Sequence, residues 1–185
     1  MIFEELFENK SMNQLFSFLV IILGFQSITF ACRCEGIAEV GESVENSEFV
    51  IYGKVIDTSY VDVIETMDSL SLDSLTFKNQ RYLDQPLVLK STFVVIKNFK
   101  GSIKSDTLII YTPRQSATCG FSFLPNKEYV VYGESASFLY DFLEDLAETD
   151  LKGREKKGTI WTNHCTRTTQ YADSEVSAIE EYLLE

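Results

Sequence analysis

Residues 109–134 read IIYTPRQSATCGFSFLPNKEYVVYGE. Two runs rich in β-branched and aromatic residues frame this stretch, TLIIYT at 107–112 and EYVVYG at 128–133. Pro113 closes the first run, and Pro125-Asn126 leads into the second. Short runs of this composition bounded by turn residues predict strands. Cys119 lies in the segment between them.

Working outward, LVLKSTFVVIKNF at 87–99 predicts a further strand, turned by Lys100-Gly101. EFVIYGKVID at 48–57 predicts another, with Phe49, Ile51 and Val55 on one face and Gly53 as a bulge. TIWTN at 159–163 is a short fifth. Residues 36–45 set Ile37, Val40 and Val44 on one helical face, with Gly41 weakening the pattern. Asp173 or Ser174 caps a last helix through Leu184, with Val176, Ile179 and Leu183 as its buried stripe. Residues 138–149 read as a helix or a structured insertion, and the Ser/Asp-rich residues 58–86 as a long excursion between strands. Five strands without β-α alternation exclude a doubly wound nucleotide-binding sheet. The expected fold is mainly β: a five-stranded, OB-like closed barrel with flanking helices, because closure leaves no exposed edge.

Ahead of this domain, LFSFLVIILGF at 15–25 is apolar without interruption. It is shorter than the roughly 20 residues a membrane span needs. Thr29-Phe30-Ala31 then offers a small-x-small cleavage site. The expectation is a signal peptide over 1–31, a domain over 32–185, no membrane span after cleavage, and a secreted or periplasmic product. Glu4, Glu5 and Glu8 against Lys10 make an unusually acidic n-region. A lipoprotein signal also ends just before a cysteine, although the usual leucine at −3 is missing; lipid anchoring through Cys32 is the lesser alternative.

The formal net charge of −12 argues against a nucleic-acid partner, and Lys152–Gly158 reads as a charged turn. All four cysteines, Cys32, Cys34, Cys119 and Cys165, follow the cleavage site. An even count in an exported chain implies disulfides. Three pairings are conceivable, and Cys32–Cys34 is too close to be comfortable. The Cys-x-Cys therefore ties the new terminus to two distant places. A zinc site would need a second cysteine pair or histidines at ligand spacing, and His164 is the only histidine. No metal site of the chain's own and no cofactor is expected.

The order Cys-Arg-Cys, SEFVIYGKV, FVVIKNFKGS, IIYTPRQSATCGFSF, NKEYVVYGE, TNHC resembles the netrin-like module. Within it, the order is closest to the N-terminal domain of the tissue inhibitors of metalloproteinases. The resemblance spans about residues 32–170 and implies an OB-like barrel with Cys32 paired to Cys119 and Cys34 to Cys165. It also implies a partner and a mechanism. The α-amine and carbonyl oxygen of Cys32 would chelate the catalytic zinc of a metalloprotease. Arg33 would enter the protease's specificity pocket, flanked by Ala117 and Thr118. The chain departs from the animal inhibitors at Arg33, where they carry Thr or Ser, and at Glu35-Gly36-Ile37. It also lacks the cysteines of their third N-terminal disulfide, and no counterpart of their C-terminal subdomain is expected.

The competing reading is a secreted or cell-surface protein-binding module whose disulfides are purely structural. No enzyme is expected, because His164 has no nucleophile in a recognisable motif with it. Trp161, Tyr111, Tyr129 and Tyr132 suggest either a stacking platform or core packing, with packing favoured. Asp62, Asp68 and Asp73 lack the spacing of a calcium loop and read as solvated acids. Lys97, Lys100 and Lys104 read as a solvated edge.

Overall fold

A computed structural model of the protein describes residues 34, 36–68, 83–114, 119–137, 139–140, 153–171 and 173–185. The chain divides into two units, Met1–Phe30 and Ala31–Glu185, and all described residues belong to the second. Its elements are α1 (Val40–Asn46), β1 (Phe49–Val61), a 3₁₀ turn (Val63–Thr66), β2 (Val88–Lys100), β3 (Thr107–Pro113), β4 (Glu128–Gly133), β5 (Ile160–Trp161), β6 (Thr169–Gln170) and α2 (Asp173–Tyr182).

The strands form one mixed sheet in the order β5-β3-β2-β1-β4-β6. β1 is its centre. It pairs antiparallel with β2 along its length, and its first half also pairs antiparallel with β4. A register shift falls between Tyr52 and Gly53, where the sequence predicts a bulge. β3 and β5 pair in parallel, through Ile110↔Ile160 and Tyr111↔Trp161.

The expectation of a five-stranded closed barrel is corrected here. The sheet has six strands and its ladders do not close. The sixth, β6, pairs with Tyr129 and Val130 of β4 through only two polar residues, too short a run to show a period-2 pattern. One isolated antiparallel bridge joins Glu134, just past β4, to Trp161 of β5. Each residue donates its amide to the other's carbonyl, at 2.9 and 2.8 Å.

Successive strand residues face opposite sides of a sheet. On β1 and β4, Ile51, Tyr129 and Val131 pack with Phe93, Ile110, Phe123 and Ile160 on one side. Val50, Val130 and Tyr132 pack on the other with Val44 of α1 and Ile179 of α2. Both faces are covered, which is why EYVVYG shows a continuous apolar run rather than an alternation. A third cluster gathers Val61, Val63, Met67, Leu83, Tyr111, Tyr140 and Trp161. Trp161, Tyr111, Tyr129 and Tyr132 are all buried, so they pack the interior and offer no stacking platform.

The helices refine the sequence reading. Val44 and Ile179 are buried as expected, but Ile37 precedes α1 and is exposed, and Leu183 is also exposed. Tyr182 packs in their place. A Cβ on Gly41 would lie 2.8 Å from the Tyr182 ring, so the glycine that weakens the helical pattern permits the α1–α2 contact. Tyr182 also donates its hydroxyl to Glu45 at 2.7 Å. Lys100 is not merely a solvated edge: its ammonium donates to the carbonyls of Val44 and Glu45 at the end of α1, at 2.7 and 2.8 Å. Lys97 pairs with Glu180 of α2. Of residues 138–149, read as a helix or a structured insertion, only 139 and 140 are described, and both are helical. Asp73 and most of the excursion's tip lie outside the described residues.

Candidate functional site

Parallel pairing sends β3 and β5 out of the sheet at the same end. The segments that follow them carry Cys119 and Cys165, which are therefore neighbours despite their distance in sequence. The amide of His164 donates to the carbonyl oxygen of Cys119 at 2.7 Å. Below this contact, the amide of Thr162 donates to the carbonyl of Tyr111 at 3.0 Å.

Local chemistry shapes each segment. Cys119 sits at φ 59°, a left-handed conformation uncommon for a residue with a side chain. Gly120 follows against β3, where a Cβ would fall 1.8 Å from the carbonyl oxygen of Pro113. Phe121 donates its amide to the Thr112 hydroxyl at 2.7 Å, and its ring meets His164 edge-on at 5.6 Å. On the other segment, Asn163 Oδ1 accepts the amides of Cys165 and Thr166 at 2.7 and 3.0 Å, an Asx-type turn that presents Cys165. The hydroxyls of Thr162, Thr166 and Thr168 lie 2.7–3.0 Å from one another, and those of Thr162 and Thr168 donate to the carbonyl of Tyr132 at 2.8 and 3.1 Å.

Cys165 is disulfide-bonded to Cys34, with a Cα–Cα distance of 5.1 Å. A second tether holds the chain just beyond. Arg167 donates Nη1 to the carbonyl of Ala38 at 2.9 Å, and Ser43 Oγ donates to the same oxygen at 3.2 Å. Arg167 is itself gripped by Glu175 in a two-point pair, Nε to Oε1 at 2.7 Å and Nη2 to Oε2 at 3.0 Å. The Tyr132 hydroxyl donates to the same Glu175 Oε1 at 2.6 Å. Burial first, then this bond, pushes the Tyr132 hydroxyl well above the usual tyrosine range. Beside the rim, Glu134 lines a hollow of about 180 Å³ with Thr162, Asn163 and Thr166. Burial, followed by the charge of Glu48, raises its carboxyl above the usual range.

Of the residues singled out in the sequence, Cys34, Cys119 and Cys165 meet at this rim. Cys119 is disulfide-bonded. Cys32, Arg33, Ala117 and Thr118 lie outside the described residues. Sequence reasoning missed Asn163, Arg167 and Glu175. The signal was available in TNHCTRTT, whose hydroxyl and amide side chains are those that build turns, and whose arginine stands eight positions before Glu175. His164 is exposed, with its ring against Phe121. Among the described residues no group of three or more His, Cys, Asp or Glu is placed to hold a metal. No described helix is long and apolar enough to cross a membrane. The arrangement can hold a backbone segment rigidly in space.

The chain matches no family model and no curated protein.

Proposed function

We propose that this chain is a secreted, netrin-like inhibitor of a zinc metalloprotease, acting through the α-amine and carbonyl oxygen of Cys32 after removal of residues 1–31. One observation carries the reading. The parallel β3–β5 pair delivers Cys119 and Cys165 to one rim, and the Cys34–Cys165 bond anchors there the segment that begins two residues after Cys32. An isolated Glu134–Trp161 bridge links the end of β4 to β5, while the sheet itself stays open.

The chemistry suits such a terminus. A catalytic zinc keeps one position open for water or substrate. A neutral amine and the carbonyl of the same residue fill it as a five-membered chelate. Tethering the segment in advance reduces the conformational freedom lost on binding. Arg33 would then occupy the adjacent specificity pocket, beside the 117–118 segment. The protein contributes no metal, no nucleophile and no turnover of its own.

The second reading, a binding module with structural disulfides, draws on a different observation. Arg167, Glu175 and Ser43 secure the same segment whether or not a protease is present.

Two measurements decide between them. Intact mass of the exported protein is expected to place Cys32 first, with an unmodified amine. That protein is expected to inhibit at least one zinc endopeptidase in a panel, and one alanine added before Cys32 is expected to abolish inhibition without changing the circular dichroism spectrum. Equal inhibition by the extended protein would rule out the chelate. No inhibition by protein that begins at Cys32 leaves the binding-module reading.

A further inference from the structure

β3 and β5 leave the cysteine rim at their ends, and at their beginnings they border a groove of about 520 Å³. Its floor is apolar, formed by Phe49, Ile103, Leu108 and Ile160, which pack in one cluster. One wall is the β2–β3 connection, which carries Lys104. The other is the segment before β5, which carries Lys156 and Lys157.

Both walls are held in place. A Cβ on Gly101 would lie 2.5 Å from the Phe49 ring, so the β2–β3 connection is seated directly on that ring. The Thr159 hydroxyl donates to the carbonyl of Lys156 at 2.7 Å, closing the turn before β5. Lys156 spends its ammonium on the carbonyl of Glu65, at 2.9 Å. The ammonium groups of Lys104 and Lys157 make no hydrogen bond or ion pair among the described residues.

The charge at this place runs against the rest of the chain. The protein has 28 acidic residues against 16 Lys and Arg, yet three lysines and no Asp or Glu line the groove. An apolar floor of this size falls in the range of small-molecule sites, roughly 300–1,000 Å³. Two unengaged cations on opposite walls above it match a ligand with an apolar body and one anionic end. A purely apolar ligand would leave the cations without a role, and a polyanion would leave the floor without one.

We propose that this groove binds a small amphipathic carboxylate, a medium-chain acyl or comparable aryl acid, with its tail on Ile103, Leu108 and Ile160 and its carboxylate between Lys104 and Lys157. The site is separate from the cysteine rim and does not depend on the inhibitor reading. Each lysine meets the head group in partial contact with water, where an ion pair changes affinity by about two- to fivefold.

The test uses the mature protein and dansyl-undecanoate, whose emission rises in an apolar site, with decanoate, decanol and decylammonium as competitors. Decanoate is expected to displace the probe, decanol more weakly, and decylammonium not at all. The Lys104→Ala and Lys157→Ala variants, both at exposed positions, are each expected to weaken decanoate about two- to fivefold and to reduce its salt dependence. Methyl shifts on adding decanoate are expected at Ile103, Leu108 and Ile160. Absence of probe binding, competition by decylammonium equal to that by decanoate, unchanged affinity in the double alanine variant, or methyl shifts elsewhere would each overturn the proposal.

Discussion

The backbone amide of His164 points at the carbonyl oxygen of Cys119, 2.7 Å away, and joins two segments 45 positions apart in the chain. The contact depends on Gly120. A Cβ there would lie 1.8 Å from the Pro113 oxygen and 2.7 Å from its carbonyl carbon, and both are backbone atoms that no rotamer change can move. Gly120→Ala is therefore expected to shift the whole Cys119 segment and to destabilise the fold by about 3 kcal/mol. Chemical denaturation measures this, and a change below about 1 kcal/mol would mean that the segment relocates at little cost.

The Cys34–Cys165 bond closes a loop with a sequence separation of 131. Chain-entropy arguments give a cross-link of this span about 4–5 kcal/mol, less whatever structure the unfolded chain retains. The Cys34→Ser, Cys165→Ser double variant is expected to show a denaturant midpoint lowered accordingly. Reduction of the wild-type protein is expected to lower it at least as far, since among the described residues no cysteine is free.

Arg167, Glu175 and Tyr132 form one unit behind this bond. Glu175→Ala would leave a largely buried guanidinium without its carboxylate, at a cost of about 2–4 kcal/mol. It would also loosen the tether to Ala38. The Tyr132→Phe variant loses one hydrogen bond to a charged acceptor, about 1.5–3 kcal/mol. The same unit gives an alkaline limit. Burial raises the hydroxyls of Tyr132 and Tyr140, and pushes Tyr111 up to about 12, with the charge of Glu65 adding to it. A group whose pKa is higher folded than unfolded contributes fully below the unfolded value, and that contribution is lost as pH rises toward the folded one. The contribution of these hydroxyls to stability is thus expected to be level from neutral pH to about 10 and to fall above it. Denaturant midpoints measured across that range check it, and a flat profile would show that these hydroxyls ionise without unfolding.

How much of this was legible in the sequence depends on where the information lies. β1 to β5 were readable because each carries a run of β-branched and aromatic residues, ended in β2 to β5 by Gly, Pro or Asn; β1 has no such stop and runs four residues past the predicted Asp57, to Val61. β6 was not, because a polar Thr-Gln pair becomes a strand only by lying against Tyr129 and Val130. The open order of the sheet escaped for a similar reason: whether five strands close is set by pairing geometry at Glu134 and Trp161, which no local pattern records. At the site, the cysteines announced themselves by number and spacing. Asn163 and Arg167 act by reaching across turns to Cys165 and Ala38, and a distance in space of that kind leaves little periodicity to read.

On the inhibitor reading, Arg33 would set the target. A long cation fits a deep or acidic pocket and is excluded from a shallow apolar one. The Arg33→Thr substitution is expected to weaken inhibition of proteases with acidic pockets and to extend it to those with small apolar ones. Inhibition constants across a panel of both kinds provide the measurement, and an unaltered ranking would mean that Arg33 enters no pocket.

Proton competition gives the chelate its own signature. An α-amine has an ordinary pKa of about 7.7–8.0, and zinc takes only the neutral form. Each pH unit below that range makes neutral amine about tenfold scarcer, so affinity for the protease is expected to fall toward a tenfold loss per unit. Acetylating the amine removes this proton but also the ligand, so it abolishes binding instead of flattening the profile. A protein that bound beside the zinc through side chains alone would show neither effect. Inhibition constants between pH about 6 and 8, corrected for the protease's own profile, separate the two cases, and a level constant would exclude coordination by the Cys32 amine.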